Sequence, residues 1–298
     1  MEDGFGVSPE GAAGAKRLRL PPWFRRSLPT GAEGPATAKV LKSCGVETVC
    51  REARCPNRGH CLSRGTAAFL VLGTVCTRAC RFCAIDHGRP LAPPDPDEPR
   101  RVAAAARGLK LRYVVVTSVT RDDLPDGGAG HFAAVIRALR AECPGAGVEV
   151  LIPDFQGDEA ALRTVLDARP DVLNHNLETV RRLQREVRSK ASYERSLEVL
   201  ARSAQAGGKA KSGLMLGLGE TADEVREALR DLRTAGVSLV TIGQYLPPSR
   251  KHYPLARYVP PEEFDAWRAE ALAMGFEAAD AGPFVRSSFH ADAMVAGE

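Results

Sequence analysis

The chain has 298 residues, which is enough for one barrel-sized domain or two smaller domains. Its 41 Lys and Arg against 37 Asp and Glu leave a formal charge of +4, which indicates a mixed, solvated surface rather than the basic stripe of a nucleic-acid-binding protein. No stretch reaches the roughly 18 apolar residues of a membrane span, and the N-terminus has neither the apolar core of a signal peptide nor a clean transit peptide. We therefore expect a cytoplasmic protein with no nucleic-acid or membrane partner. In that reducing compartment, eight cysteines favour metal or catalytic chemistry over disulfides.

The chain divides into a glycine- and proline-rich start, a cysteine-rich stretch and a long alternation of apolar and amphipathic segments. Residues 1 to about 38 lack a sustained apolar period, which predicts a flexible or wrapping N-terminal extension. Residues 39–66 hold four cysteines in a loop-like stretch. Six strands are predicted, at residues 68–73, 113–119, 148–155, 171–178, 211–219 and 239–246. Helical periodicity predicts the intervening helices, at residues 100–109, 131–143, 158–169, 192–207 and 222–236.

Six strand–helix units predict an α/β fold with a parallel sheet. A doubly wound sheet satisfies the same pattern, but six units fall short of a complete barrel, so we prefer an open, partial (β/α)6 TIM-type barrel. Thr221 followed by Glu224 predicts a capping box, Gly236 suits the C-cap of the same helix, and residues 260–275 predict a final helix. The predicted division is an N-terminal cysteine-rich extension (1–66), the barrel (67–250) and a C-terminal extension with a helix and tail (251–298).

Three cysteines follow the first strand with the spacing C-x3-C-x2-C, in the segment CTRACRFC. They are Cys76, Cys80 and Cys83. Because the carboxyl ends of barrel strands carry active sites, we expect these thiols in the active site. Zinc sites usually have paired ligands, and no second pair of that spacing occurs, whereas three cysteines on an iron–sulfur cluster leave one iron open. A zinc loop and three unconnected thiols remain the alternatives.

This spacing resembles the signature of radical S-adenosylmethionine enzymes. The resemblance implies that Cys76, Cys80 and Cys83 bind a 4Fe-4S cluster whose open iron takes the amine and carboxylate of S-adenosylmethionine. Reductive cleavage then yields a 5′-deoxyadenosyl radical, so that the cofactor supplies the difficult chemistry.

A second triplet lies upstream, in the segment CREARCPNRGHC. Cys50, Cys55 and Cys61 have the spacing C-x4-C-x5-C and no adjacent fourth cysteine. An electron carrier would be expected to have four cysteines per cluster. Of the two remaining cysteines, Cys143 falls at a predicted helix end and is interpreted as a buried or incidental thiol, whereas Cys44 remains a candidate fourth ligand.

Blocks from about residue 21 onward resemble the lipoyl synthase family. They are TVCREARCPN, CTRACRFC, VVVTSVTRDDLPDGGAGHF, EVLIPDFQG, NHNLETV, KSGLMLGLGE, GQYLPPS and AMGFEAADAGPFVRSSFHAD. The resemblance implies that the second triplet holds an auxiliary 4Fe-4S cluster, with Ser288 preferred over Ser287 as its fourth ligand. It also implies that two sulfur atoms are inserted at C6 and C8 of a protein-bound octanoyl-lysine, with the auxiliary cluster as sulfur donor. Phe289 departs from the pattern, because the family commonly has Tyr there.

The resemblance further implies the cofactors and partners. The cofactors are two 4Fe-4S clusters and S-adenosylmethionine. Residues at strand ends are expected to bind S-adenosylmethionine or substrate, namely Thr117, Ser118, Asn174, Asn176, Glu178, Gly217 and Gly219. The partners are octanoylated carriers (acyltransferase subunits of 2-oxoacid dehydrogenases and the glycine cleavage H protein), an electron donor such as ferredoxin or flavodoxin, and an iron–sulfur cluster carrier. The segment TRDDLPDGG (120–128) is interpreted as a contact for the partner's lysine-bearing loop.

Two alternative functions remain open. Another sulfur-inserting enzyme, such as a biotin synthase, shares the chemistry, but the second triplet and the serine pair argue against it. An electron-transfer or cluster-carrier protein would produce no 5′-deoxyadenosine. Histidines are interpreted as hydrogen-bonding residues, because none shows an i, i+4 or H-x-E pattern. They are His87, His131, His175, His252 and His290.

Overall fold

A computed structural model describes residues 19–25, 33–64 and 66–296. Its strands form one eight-stranded sheet in sequence order. Strands β2 to β8 pair in parallel with their neighbours, and β1 is antiparallel to β2. The strands are β1 (Glu47–Thr48), β2 (Ala68–Val71), β3 (Tyr113–Ser118), β4 (Gly147–Leu151), β5 (Val172–Asn174), β6 (Lys209–Leu216), β7 (Leu239–Gln244) and β8 (Ala278–Gly282).

Helices connect each parallel strand to the next. The first three, α1 (Glu33–Ser43), α2 (Val49–Glu52) and α3 (Arg58–Ser63), precede β2. The crossovers contain α4 (Glu98–Gly108), α5 (Ala129–Glu142), α6 (Glu159–Asp167), α7 (Gln184–Val187), α8 (Tyr193–Gln205), α9 (Ala222–Thr234) and α10 (Pro261–Ala273), and α11 (Ala291–Ala296) ends the described chain. Since β8 does not pair with β1 within the described ranges, the barrel is open.

The predicted α/β fold with a partial TIM-type barrel is confirmed. All six predicted strands are present, and β1 and β8 extend the sheet beyond them. The sequence of β8, AADAG, has no β-branched or aromatic residue, so its strand conformation depends on pairing with β7 rather than on propensity. The capping box of Thr221 and Glu224 is also confirmed, and Gly236 follows α9 with φ of +82°.

The core lies on both faces of the sheet. All four residues of β2 are buried, as are the six residues of β7, which is typical of parallel strands covered on both sides. Phe132, Ile136 and Leu139 of α5 are fully buried against the sheet. Seven parallel strands therefore end at one rim, and the loops that follow them converge there.

Phe24, in the first described segment, packs against aromatic residues that follow β7 and β8. Residues 1–18 and 26–32 lie outside the described residues, so most of the predicted N-terminal extension is untested. The described ring of Phe24 lies 5.4 Å from that of Tyr258 and 5.3 Å from that of Phe284. The prediction of a loop-like stretch at residues 39–66 is wrong in part, because this stretch contains the end of α1, together with α2 and α3. Helices α2 and α3 have four and six residues and are too short to leave a helical period, and α1 buries only Thr37 and Leu41, so its apolar period is weak. No helix in the described part of the chain is long and apolar enough to cross a membrane.

Candidate active site

A cavity of about 550 Å³ opens at the carboxyl ends of the parallel strands. Three separate parts of the chain supply its reactive side chains. Cys76, Cys80 and Cys83 come from the loop after β2, Cys50 and Cys55 from the segment before it, and Arg286, Ser287 and Ser288 from the C-terminal segment. Residues more than 200 positions apart in sequence thus meet in one cavity.

The loop after β2 is held by backbone hydrogen bonds on both sides. The Arg81 N–H donates to the Val187 carbonyl at 3.0 Å, and the Arg81 carbonyl accepts from the Tyr253 N–H at 2.8 Å. Burial raises the pKa of the Cys83 thiol to about 12, and the nearby Cys80 and Cys76 add to the rise. Buried, mutually repelling thiolates require a cation, so this donor set fits an iron cluster that binds cysteine in its thiolate form.

The second triplet is assembled by the turns around α2 and α3. The Cys55 N–H donates to the Cys50 carbonyl at 3.2 Å, and the Cys61 N–H donates to the Asn57 carbonyl at 2.8 Å. Cys61 does not line the cavity, but burial followed by the charges of Cys50 and Cys55 raises its pKa to about 12, so the three thiols lie together. The chemistry of this donor set also fits a thiolate-bound cluster.

The other two cysteines lie away from the cavity. Cys44 and Cys143 pack against the apolar core, and the Cys143 thiol lies 3.8 Å from the Ala103 carbonyl. All eight cysteines are free thiols. No group of three or more His, Cys, Asp or Glu side chains in the described residues could hold a single metal ion. A four-iron cluster does not need its ligands to converge on one ion, because each cysteine bonds to its own iron.

The serine pair reaches the cavity because the residue of β7 next to its segment is a glycine, Gly243. A Cβ built on Gly243 would lie 2.3 Å from the Val285 carbonyl oxygen, so only glycine permits this approach. The Asn57 amide donates to the Phe284 carbonyl at 2.6 Å and ties the same segment to the second cysteine loop. Both Ser287 and Ser288 line the cavity.

The departure from the family pattern, Phe289, is buried. Its ring stacks on that of His290 with a centroid distance of 3.9 Å and lies 6.0 Å from that of His60. The ring at this position is therefore packed between two imidazoles at the end of the serine segment.

Polar groups at the ends of β3 and β5 lack partners. Within the described residues, Ser118 Oγ and Asn176 Oδ1 are buried without a hydrogen bond, and both residues line the cavity. Asn176 Nδ2 donates to Glu178 Oε1 at 3.1 Å. Burial raises the pKa of Glu178, and Arg188 opposes the rise. Because buried polar groups are normally hydrogen-bonded, these side chains fit a polar ligand such as S-adenosylmethionine.

Of the remaining residues that were predicted to bind a cofactor, one lines the cavity and three do not. Thr117 lines the cavity, although its hydroxyl donates to the Leu151 carbonyl at 3.0 Å. Asn174 does not line it, because its amide donates to Glu149 deeper in the barrel at 3.0 Å. Gly217 and Gly219 also lie outside the lining. Gly213 of the same glycine-rich block does line it, and a Cβ there would lie 2.9 Å from Asn176 Oδ1.

Four arginines that the sequence did not identify as site residues line the cavity. They are Arg54, Arg78, Arg188 and Arg286. Burial lowers the pKa of the Arg286 guanidinium, while Cys55 and Glu178 oppose that change. Its place directly before the serine pair was the available signal, whereas Arg188 stands in no quoted block. Their positive charges share the cavity with five cysteine thiols and with the carboxylates of Asp154 and Glu178.

Comparison with known proteins agrees with this geometry. The family model for the radical SAM superfamily matches residues 70–232. Lipoyl synthase of Chlorobium phaeovibrioides is 55% identical over 275 residues, which are 92% of this chain and 97% of that protein. Lipoyl synthase of Methylococcus capsulatus is 55% identical over 94% of this chain and 87% of that protein.

Solved structures support the fold. Streptococcus suis SuiB bound to S-adenosylmethionine superimposes with a TM-score of 0.54 at 11% identity, over 75% of this chain and 53% of that one. HydG, a maturase of the [FeFe]-hydrogenase, gives 0.56 at 15% identity, over 70% and 49%. The chain spans about half the length of these two proteins, and at such identities the likeness concerns the barrel alone. From the family match and the identity over nearly its whole length, the chain belongs to the lipoyl synthase family of radical S-adenosylmethionine enzymes, which are iron–sulfur transferases.

Proposed function

We propose that this enzyme inserts two sulfur atoms, at C6 and C8, into a protein-bound N6-octanoyl-lysine and so forms the lipoyl group. The observation that carries the proposal is that the first cysteine triplet, Cys50 and Cys55 of the second, and the serine pair line one cavity, with Cys61 next to the other two thiols of its triplet. A 4Fe-4S cluster bound by Cys76, Cys80 and Cys83 supplies, with S-adenosylmethionine and an electron from ferredoxin or flavodoxin, a 5′-deoxyadenosyl radical able to attack unactivated C–H bonds.

The polar residues of the cavity hold S-adenosylmethionine in this proposal. Thr117 and Ser118 face its methionine amino group, and Ser118 Oγ gains the partner it lacks. Asn176 and Glu178 receive the ribose hydroxyls, which donate to Asn176 Oδ1 and to the Glu178 carboxylate. Asn174, Gly217 and Gly219 do not line the cavity, so in this proposal they support the residues that contact S-adenosylmethionine rather than contact it themselves.

Aliphatic side chains that line the same cavity suit the octanoyl chain. They are Val49, Ala53, Ala68, Val115 and Val285, of which Val49, Ala68 and Val115 pack with Cys50 and Cys55 of the second cysteine triplet. An alkyl chain bound there leaves water and is stabilised by about 0.8 kcal/mol per buried methylene. It also lies beside the proposed sulfur source.

The auxiliary 4Fe-4S cluster is a substrate of this reaction rather than a lasting cofactor. Cys50, Cys55 and Cys61 hold three of its irons, and Ser288 supplies an oxygen ligand to the fourth. An alkoxide protonates readily once its iron is disturbed, so the serine end is where the cluster opens. Because each turnover consumes a cluster, a cluster carrier must replace it. Residues 1–66, 67–250 and 251–298 thus provide the sulfur site, the radical site and the serine ligand.

The rim of the cavity supports a protein-borne substrate. Its carboxylates are engaged, because Asp122 pairs with Arg78 and Asp126 accepts the N–H groups of Gly128 and Gly130. Several exposed cations line the cavity or lie within three positions of a lining residue in the sequence, and make no ion pair with a carboxylate in the described part of the chain. Among them are Arg54, Arg81, Lys190, Arg250 and Lys251. This rim complements an acidic face on an octanoylated carrier, such as a 2-oxoacid dehydrogenase acyltransferase subunit or the glycine cleavage H protein. We place the reaction in the cytoplasm.

The test is an anaerobic single-turnover reaction of the reconstituted enzyme with an octanoyl-lysine peptide, dithionite and S-adenosylmethionine. Mass spectrometry should show the peptide gaining two sulfurs and losing two hydrogens, in about one event per chain. An unchanged peptide with 5′-deoxyadenosine formed would indicate another substrate. A failure to form 5′-deoxyadenosine would favour an electron-transfer or cluster-carrier protein.

Three cysteine variants assign the two triplets. Cys80→Ala should abolish cleavage of S-adenosylmethionine while one cluster remains. Cys55→Ala should permit cleavage but stop sulfur insertion. Cys143→Ala is the matched control, because its thiol lies in the core away from the cavity and both reactions should persist. Lipoyl product from Cys55→Ala would exclude the auxiliary cluster as sulfur donor.

A further inference from the structure

The segment TRDDLPDGG, which the proposed function leaves without a role, is bonded to the first cysteine triplet. We call residues 76–83 the cysteine loop and residues 120–126 the aspartate loop. The Thr77 N–H and hydroxyl both donate to the Thr120 carbonyl at 3.0 Å, and the Asp122 N–H donates to the Thr77 hydroxyl oxygen at 3.0 Å. Three hydrogen bonds at Thr77 therefore join the two loops.

A buried arginine extends this connection. Arg78 Nε and Nη2 donate to the two carboxylate oxygens of Asp122, both at 2.8 Å, and Nη2 also donates to Asp154 Oδ1 at 2.6 Å. The Arg78 side chain is only 5% exposed and that of Asp154 is fully buried. A two-pronged contact of this kind fixes orientation as well as distance, so it sets the path of the cysteine loop relative to the ends of β3 and β4.

The connected loops direct two N–H groups at one thiol. The backbone N–H of Arg78 lies 3.4 Å from Cys76 Sγ, and that of Thr120 lies 3.3 Å from the same sulfur. Hydrogen bonds to cysteine sulfurs are among the factors that set the reduction potential of an iron–sulfur cluster. They stabilise the reduced cluster more than the oxidised one, because the reduced cluster is more negative.

We propose that Arg78 is a positioning residue which, through Asp122 and Asp154, holds two N–H donors on Cys76 Sγ and thereby raises the reduction potential of the cluster bound there. The inference rests on the proposed function only in requiring a cluster on the first triplet. Octanoyl-lysine has no part in the measurement, so a potential shift without lipoyl product would keep this inference and refute the proposed substrate.

The test is an EPR-monitored redox titration of the full-length, cluster-loaded enzyme, with the relevant cluster identified by its response to S-adenosylmethionine. Arg78→Lys keeps the charge but loses the two-pronged contact, and Asp122→Asn weakens its acceptor. At a fixed potential near the wild-type midpoint, the ratio of reduced to oxidised cluster should fall about fivefold in each, which is the worth of one net hydrogen bond.

Arg121→Lys is the matched control. Arg121 belongs to the aspartate loop and is as buried as Arg78. Its Nε donates to Asp123 at 2.8 Å, and its other donors bond to the carbonyls of Leu72 and Ala92, which lie outside the cysteine loop. It should leave the midpoint unchanged. A wild-type midpoint in Arg78→Lys, or an equal shift in Arg121→Lys, would overturn the proposal. If Arg78→Lys does not bind a cluster, Asp122→Asn decides the test, since it keeps Arg78 and changes only the acceptor of its two-pronged contact, and an unchanged midpoint there refutes the proposal.

Discussion

Gly243 controls how closely the serine segment approaches the sheet. An alanine Cβ at this position would lie 2.3 Å from the Val285 carbonyl oxygen and 3.2 Å from its carbonyl carbon. Because these are backbone atoms, no side-chain rotation relieves the contact. Restoring ordinary van der Waals distance requires the segment to retreat by roughly 1 Å, and overpacking of this kind costs about 1–3 kcal/mol.

We expect Gly243→Ala to reduce sulfur insertion far more than cleavage of S-adenosylmethionine. A displacement of roughly 1 Å at a reacting group costs on the order of 100-fold in rate, and Arg286 to Ser288 would move with Val285. The first cysteine triplet comes from another loop and should stay in place. The assay measures 5′-deoxyadenosine and lipoyl peptide in the same single-turnover reaction, together with iron content.

Gly88→Ala serves as the control substitution. Its Cβ would meet Val75 Cγ1 at 3.7 Å, which is an ordinary contact, so both products should form as in the wild-type enzyme. Equal lipoyl yield from Gly243→Ala and the wild type would show that the close approach of Val285 does not position the serine pair, and the reasoning would fail.

Three further predictions concern stability and docking. Lys211→Met removes the cation 3.0 Å from the fully buried Glu149 carboxylate and should lower the free energy of unfolding by about 3–5 kcal/mol, whereas adding Glu149→Leu should recover much of the loss in urea titrations. Burial lowers the pKa of His175 to about 4, so the unfolded chain binds the extra proton below pH about 6.5. The free energy of unfolding should therefore fall by roughly 1.4 kcal/mol between pH 7.5 and 5.5, and His175→Gln should remove that slope. Arg250→Glu with Lys251→Glu should raise KM about tenfold for an octanoylated carrier at low salt but not for a free peptide.

Each of these has an outcome that would contradict it. A double variant less stable than Lys211→Met would show that the buried carboxylate stabilises the fold without its partner. An unchanged pH slope in His175→Gln would place the proton uptake elsewhere. Replacement of Lys110 and Arg230 by Glu is the charge control for docking, because both cations are exposed and lie away from the cavity lining. An equal rise in KM in that variant would refute the proposal that the carrier docks on the cations of the cavity rim.

Short-range patterns predicted much of this architecture. The helices α4 to α6, α8 and α9 follow from their amphipathic periods, and α10 from the Pro at its start and the Gly after its end. The capping box of Thr221 and Glu224 is a contact between residues three apart. Sequence could not predict β8, because its small residues carry no strand preference and its conformation depends on hydrogen bonds to β7.

The side-chain directions at strand ends were equally inaccessible. Asn174 and Asn176 are two residues apart and equally polar, yet only Asn176 lines the cavity, because Asn174 bonds to Glu149 in the barrel interior. Which amide faces the cavity depends on the path of the chain as it leaves β5. The bond between Asp122 of TRDDLPDGG and Arg78 of the cysteine loop was equally inaccessible, because the two residues lie 44 positions apart, and the expected contact of this segment with a partner stays a prediction.

The sequence alone determined which atoms are available: two cysteine triplets, a serine pair and an alternation of strands and helices, all encoded in residues close together along the chain. Only the tertiary structure decided that these groups meet. Asn57 reaches Phe284 across 227 positions, and Gly243 admits Val285 to the barrel mouth. Such contacts depend on how parallel strands end at one rim, which is a property of the folded sheet and leaves no local pattern in the sequence.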